Sequence, residues 1–314
     1  MVFRKKPPFL KRTLLKRNSR ILKIYLGVLF FAATCTGNPK TDVSSQVDSL
    51  RKITIPAEHI VFIGLDGWGG AFVSKADMPT VKRMVAGGAS SLDMRCIMPS
   101  ISWPNWSTLF CGTPPEKRNG ETSNNVSDIM NFPSIFTLVQ NSKMTNVFFH
   151  DWDVLGKVCP DEKAEKIKIN SNINSARKIA AFIIEKKPAF TAVVFDEPDH
   201  IGHSKGWGSK AYYAKLTELN NLIAIIEQAV KDAGIYDSTV FVLSADHGGN
   251  FRGHGQNFKK HRQIPIIIYG RGIKSGYTIP SPLSICDIAP TMAAIMGLEP
   301  HPKWAGRPLK EVFK

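Results

Sequence analysis

The sequence predicts an α/β sandwich in three layers, with helices on both faces of a mostly parallel central sheet. Short apolar runs rich in β-branched and aromatic residues alternate with longer segments of helical periodicity along most of the chain. The runs are almost continuously apolar, as expected of strands covered on both faces. Clusters of Asp and His follow three of them, and open parallel sheets gather their chemistry at strand carboxyl ends.

Residues 60–65 form the first expected strand, closed by Asp66 and Gly67. A short helix is read over 78–86 and a second strand over 90–96. A Pro-flanked segment around Ser102 then leads into a helix expected over 105–111. The third strand is read at 146–149, and residues 175–186 carry apolar residues at helical spacing that stop before Pro188. A fourth strand at 191–195 precedes the longest helix, 210–233. That helix places Leu216, Leu219, Leu222, Ile223, Ile226 and Val230 on one face and ends at Gly234. Strands at 239–244 and 264–269 and a helix at 284–296, capped by Gly297, complete the series.

The 314 residues suit one large domain, and 43% hydrophobic content is ordinary for a globular core. A net charge of +15 suggests nucleic acid, but the charge is concentrated at one end. Of 41 Lys and Arg, nine lie in residues 1–23 (Arg4, Lys5, Lys6, Lys11, Arg12, Lys16, Arg17, Arg20 and Lys23), with no acid among them. The remainder holds 32 basic against 26 acidic residues, a net +6, so nucleic-acid binding is not expected.

The basic stretch precedes an apolar run at 24–33 and then Thr34, Cys35, Thr36 and Gly37, the layout of a secretory signal. The run is shorter than the about 20 residues of a membrane span. Residues 1–37 therefore read as a signal peptide or lipoprotein leader, 38–55 as a polar tether and 56–314 as the catalytic body. Cys35 resembles the lipid-modified cysteine of bacterial lipoproteins, with Thr34 replacing the usual small residue before it. The expected location is outside the cytoplasm, periplasmic or held on a membrane through the N-terminus. Cys96, Cys111, Cys159 and Cys286 either pair in that compartment or are buried free thiols.

Four separated clusters carry the chemistry. Asp66 ends the first strand, where a carboxylate suits a divalent cation or a turn. Ser102 stands before a helix, whose N-terminal donors favour a phosphate beside it, and a nearby cation would make its hydroxyl a nucleophile. Ser100 and Ser107 compete for that role, and Asn105 either donates to a phosphoryl oxygen or caps the helix. Asp199 and His203 are four positions apart after the fourth strand, spaced to meet one ion, whereas His200 points elsewhere. Asp246 and His247 follow the fifth strand, and His254 lies between Gly253 and Gly255 on a loop that can fold back. Three carboxylates, three imidazoles and one hydroxyl meet the needs of two divalent cations, preferentially zinc, and one nucleophile. His150, Asp151 and Asp153 either line the pocket or form a solvated loop, and Lys259, Lys260, His261 and Arg262 read as a solvated basic face.

Together these residues resemble the alkaline phosphatase superfamily, and within it the type I phosphodiesterase/nucleotide pyrophosphatase branch. The likeness runs from about residue 60 to the C-terminus, where Trp304-Ala305-Gly306-Arg307-Pro308 is similar to endings found in the group. Ser102-Trp103-Pro104-Asn105 resembles the branch's nucleophile followed by x-Pro-Asn. The resemblance implies an alkaline phosphatase-like fold, with Asp199, His203 and His254 on one zinc and Asp66, Asp246 and His247 on the other. It makes Ser102 the bridging nucleophile and gives Asn105 the phosphate. Serine stands where the branch commonly has threonine. Sulfatases require Cys or Ser-x-Pro-x-Arg, and Trp106 occupies the last of those positions. The implied activity is hydrolysis of phosphate esters, diesters or nucleotide pyrophosphates first, through a phosphoseryl intermediate. The implied substrates are small-molecule, lipid or glycan phosphate esters. No Arg adjoins Ser102 to neutralise a dianionic monoester, unless Arg95 or Arg118 folds back to it. A phosphomonoesterase, or a surface lipoprotein that retains the fold without turnover, are the alternatives.

Overall fold

The computed structural model describes residues 57–118, 132–157 and 164–314. The leader, the tether, Cys35 and Cys159 lie outside these residues. Eight strands form one sheet: β1 (His59–Asp66), β2 (Ala89–Arg95), β3 (Asn146–His150), β4 (Glu165–Lys168), β5 (Phe190–Pro198), β6 (Thr239–Ser244), β7 (Gln263–Gly270) and β8 (Tyr277–Thr278). Their order is β4-β3-β5-β1-β6-β7-β2-β8. Pairing is parallel from β4 through β6, antiparallel on both sides of β7, and parallel again between β2 and β8. The six strands expected from the sequence are present. The two additional strands, β4 and β8, are short edge strands whose sequences are too polar or too brief to register as apolar runs.

The strands at the centre are covered on both faces. On one side lie α2 (Pro79–Gly87), α5 (Ile173–Lys186), α6 (Asp199–Lys205) and the long α7 (Lys210–Asp232), which packs against the other three. On the other lie α3 (Ser102–Cys111), α4 (Ile135–Asn141) and α9 (Ile288–Ile295). Short helices α1 (Gly70–Val73) and α8 (Lys259–Arg262) sit in the connections. All six apolar residues assigned to one face of the long helix are buried, which is the condition for a 3.6-residue period to pack on a sheet. Phe110 of α3 meets the rings of Phe62, Phe136 and Phe148 at 5.1–5.5 Å, locking that helix to β1, β3 and α4.

Two helix starts bear on the packing, and the first departs from the sequence reading. Helix α3 starts at Ser102 rather than 105, because Pro104 lies in its first turn, where a missing N–H costs nothing. Helix α2 has no capping side chain of its own. Its free N–H groups are met from α7, where buried Asn220 accepts from Thr80 at 2.9 Å and Val81 at 3.3 Å. Cys96, Cys111 and Cys286 are buried free thiols, and burial pushes the first two up to about 12 and about 11. Among the described residues no helix is long and apolar enough to cross a membrane.

Asn220→Ala strips the acceptor from two donors and is expected to lose about 1–3 kcal/mol of stability. Urea denaturation at equilibrium measures this, and turnover of the folded variant should match the parent because Asn220 lies behind α2.

Candidate active site

Three adjacent strands deliver the acidic residues. In the order β5-β1-β6, Asp199 opens α6 directly after β5, Asp66 is the last residue of β1, and Asp246 and His247 follow β6 by one residue. The register between β1 and β5 shifts after Leu65, so that Asp66 pairs with Pro198, next to Asp199. Gly67 makes the turn with φ of 70°. A Cβ there would lie 2.9 Å from Asp199 Oδ1, so glycine is required both by the backbone and by the close approach. Its N–H donates to Asp246 Oδ1 at 3.1 Å, tying the β1 end to the β6 end.

Ser102 is the first residue of α3, and no side chain caps that helix. Its hydroxyl lies 3.1 Å from His247 Nε2 and 3.4 Å from Asp66 Oδ1. The competing serines face elsewhere. Ser100 is buried and donates to the Gln256 carbonyl, and Ser107 donates to that of Pro104. Arg118, on α3's far side, binds Ser107, Thr108 and the Thr113 carbonyl, and Arg95 pairs with Asp93.

Asp66, Asp246 and His247 form one compact group of potential ligands, and Asp199, His247 and His254 form another. His247 Nε2 is 3.5 Å from Asp66 Oδ1 and 3.3 Å from Asp246 Oδ2, while its ring stacks on His254 at 3.8 Å. His203 joins the second group, with Nε2 at 3.4 Å from Asp199 Oδ2 and 3.0 Å from His254 Nε2. The six side chains named from the sequence therefore converge, with His247 standing between the two groups.

This arrangement is where the comparisons become informative. The family model described as "Type I phosphodiesterase / nucleotide pyrophosphatase" matches residues 60–130 and 133–251, more than half of the chain. The chain belongs to this family. A sulfatase family model also matches residues 208–298. Arylsulfatase K of Danio rerio is 29% identical over 122 residues, covering 30% of this chain and 23% of that protein. Ectonucleotide pyrophosphatase/phosphodiesterase family member 3 of Mus musculus is 21% identical over 216 residues, covering 60% and 24%. The chain thus spans under a quarter of the length of these curated relatives. Human ectonucleotide pyrophosphatase/phosphodiesterase 5 superposes with a TM-score of 0.69 at 11% identity, over 82% of this chain and all of that one. A 2-O GAG sulfatase superposes at 0.70 and 14% identity, over 81% and 73%. These likenesses establish the alkaline phosphatase-like fold.

The hydrogen bonds of this family member test whether its site suits metal ions. His247, His254 and His203 each place Nδ1 2.9–3.0 Å from a backbone carbonyl, of Gly248, Ser100 and Arg252 respectively. A carbonyl only accepts, so each Nδ1 carries the proton and each Nε2 presents a lone pair. Those lone pairs face one another and three carboxylates. Asp199 Oδ1 and Asp246 Oδ2 are buried without a hydrogen-bond donor. Buried acceptors facing buried acceptors fit divalent cations, and carbonyl-oriented imidazoles are the usual partners of such ions. Burial, reinforced for Asp66 by Asp246 and for Asp246 by Asp199, drives both carboxyls far above the ordinary range. Burial and the neighbouring His254 hold His247 well below its ordinary value.

Two tryptophans do the positioning, and neither was assigned this role from the sequence. Trp106 donates its indole N–H to Asp66 Oδ2 at 2.9 Å and packs so tightly on β1 that a Cβ at Gly64 would lie 2.4 Å from its ring. Trp207 donates to the Gly67 carbonyl at 2.9 Å, as does Tyr212 at 3.0 Å, and meets His203 and His254 edge-on. A buried indole N–H requires an acceptor, and Trp106 lies one helical turn after Ser102; that is the signal from which its role could have been read.

Three expectations are corrected or divided. Asn105 is fully buried with its amide spent on the backbone. It accepts from Ile97 at 2.8 Å and donates to Pro99 and Ile101 at 3.1 and 2.9 Å, so it shapes the loop before Ser102 instead of reaching phosphate. His261 is buried rather than solvated, and accepts from the Gln256 N–H at 3.2 Å. Asp153 is solvated and pairs with Lys168. Asp151 fastens the β3 end to β5 by accepting from Ser171 and from the Asp196 N–H, and buried His150 contacts the Trp152 carbonyl.

Trp106→Phe keeps the packing but frees Asp66, and metal affinity is expected to fall about 10- to 100-fold, read by chelator competition. The raised carboxyls set the sign of a second outcome. Below pH 3.8, the ordinary aspartate value, folded and unfolded states both hold the protons of Asp66 and Asp246. As pH rises the unfolded chain releases them first, so metal-free protein loses stability toward neutrality. Melting curves in chelator from about pH 4 to about pH 8 should show that loss, and saturating divalent cation should remove it.

Proposed function

We propose that this protein hydrolyses phosphate esters, with diesters preferred, through a covalent phosphoserine at Ser102. The observation that carries the reading is Ser102 at an uncapped helix start, its hydroxyl against the buried acceptors of Asp66 and His247. Asp66, Asp246 and His247 would hold one divalent cation and Asp199, His203 and His254 the other, with zinc favoured by the mixed imidazole and carboxylate set. When bound, such ions lower the pKa of an adjacent hydroxyl and neutralise charge on the phosphoryl group and the departing oxygen. Ser102 Oγ gives up its proton and attacks phosphorus, the Oγ–P bond forms as the ester O–P bond breaks, and the departing oxygen takes up a proton and leaves as the alcohol. Water then attacks phosphorus, the Oγ–P bond breaks, and serine is restored. The start of α3 would offer backbone N–H groups, Pro104 excepted, to a phosphoryl oxygen. Diester preference is supported by Arg95 and Arg118 being committed away from Ser102. The basic leader and Cys35 support export and attachment to a membrane surface, and lipid or glycan phosphate esters are compatible substrates.

Sulfate ester hydrolysis is the second reading, favoured by the sulfatase match over residues 208–298. That stretch contains Asp246, His247 and His254 but not Ser102. Trp106, bound to Asp66, stands in place of the arginine of the sulfatase motif.

Turnover should rank bis-nitrophenyl phosphate above nitrophenyl phosphate, and both above nitrophenyl sulfate. A sulfate ester in first place would reverse the two readings. Ser102→Ala should lose about a thousand-fold or more in kcat. Chelation should abolish turnover and zinc should restore it; full activity after chelation contradicts the mechanism.

A further inference from the structure

Five large apolar side chains stand exposed among the described residues: Met98, Ile173, Ile184, Phe251 and Phe258. The two isoleucines lie on α5, and the other three gather around the loop that bears His254. Phe251 and Phe258 border the same opening as His254. The segment bearing Met98 is stitched to that loop. The Cys96 N–H donates to the Arg262 carbonyl at 3.0 Å, and Ser100 Oγ donates to the Gln256 carbonyl at 3.0 Å and accepts the Gly255 N–H at 3.2 Å. Exposed apolar residues scattered singly need no explanation, but a cluster marks a contact surface. Both rings are held in place. Phe258 meets buried His261 edge-on at 5.2 Å. Phe251 is 82% exposed at the tip of a tight turn, which Asn250 and Gly253 close with paired backbone hydrogen bonds, and its carbonyl accepts the Trp207 N–H at 2.8 Å. Its φ of 53° lies in the left-handed region, which strains a bulky residue. A strained backbone that carries a ring out into solvent contributes little to stability.

The charge around these side chains has one sign. No acidic residue occurs from 247 to 286 or from 200 to 217. Lys205, Arg252, Lys259 and Lys260 are all exposed. Lys205 and Arg252 border Phe251 along one groove, and Lys259 and Lys260 directly follow Phe258. We infer that this rim docks on an anionic lipid bilayer, with Met98, Phe251 and Phe258 entering the interface and the cations meeting headgroup phosphates. Apolar tips ringed by Lys and Arg suit such an interface, because the tips gain by leaving water while the cations stay among the headgroups. The sequence ahead of the body favours a membrane as the occupant, since its basic run, apolar run and Cys35 read as a membrane-directed leader. A second copy of this chain would instead set like charges against each other. Docking turns the opening beside His254 toward the headgroups. The surface is independent of the phosphate-ester reading.

The test is fluorescence of an added indole in the full chain, with vesicles of phosphatidylcholine and phosphatidylglycerol in equal parts and brominated acyl chains as the quencher. The leader can bind such vesicles on its own, so the position that is quenched decides, rather than the fraction bound. Relative to the parent, the emission added by Phe251→Trp should shift to the blue and be quenched, and that added by Ile184→Trp should do neither. Ile184 is exposed in the last turn of α5, which leads into the start of β5, at the end of the sheet opposite Asp199. Adding Arg252→Gln, Lys259→Gln and Lys260→Gln to Phe251→Trp, or leaving out phosphatidylglycerol, should raise the lipid needed for half-maximal quenching about 10-fold or more. Absence of quenching at position 251, or equal quenching at positions 251 and 184, overturns the docking surface. So does quenching left unchanged by the cation replacements or by neutral lipid. With position 251 unquenched, a DNA duplex whose binding the same replacements abolish assigns the face to nucleic acid, and a lipid-free dimer dissolved by Phe251→Gly with Phe258→Ala assigns it to a second copy.

Discussion

The structure turns on a buried meeting of groups that repel one another. Three carboxylates and three imidazole lone pairs share one small volume, and the fold supplies them with few donors. Gly67 N–H and the Trp106 indole reach single carboxylate oxygens, and the Ser102 hydroxyl lies against the same cluster. The backbone carbonyls of Gly248, Ser100 and Arg252 each take an Nδ1 proton and so aim the opposite nitrogen inward. Burying acceptors against acceptors is costly, and a divalent cation is the kind of group that would offset that cost.

The packing meets that demand from both sides of the sheet. Helix α3 brings Ser102 and Trp106 from one layer, while Trp207 and Tyr212 reach the Gly67 carbonyl from the segment that opens α7 on the other. Asp66 and its turn are therefore gripped between two aromatic anchors. The same Trp207 touches His203 and His254, so the two ligand groups share a support as well as sharing His247.

Much of this was legible in the chain. The apolar runs and the helical period of 210–233 identified the strands and the long helix because burial on two faces leaves a direct trace in composition. The acids at strand ends were legible as a group, since any one of them could close a turn but several with matching histidines point to one centre. What escaped was set by contacts between distant segments. The role of Asn105 depends on carbonyls of the preceding loop, and burial of His261 depends on how the 250–262 loop folds over β7. The helix expected from residue 105 begins at Ser102, with Pro104 inside its first turn. Trp207 gave no local sign that its indole would reach across 140 positions to Gly67.

The strand order carries one further consequence. Asp66 and Asp246 become neighbours only when β1 pairs with β6, a parallel pairing that spans most of the folded body. No contiguous fragment short of that span can assemble the centre, and closing such a long-range pair is a late, slow event in folding. Every side chain of the candidate centre lies between Asp66 and His254, so β7 and β8, which come later in the chain, supply none of them.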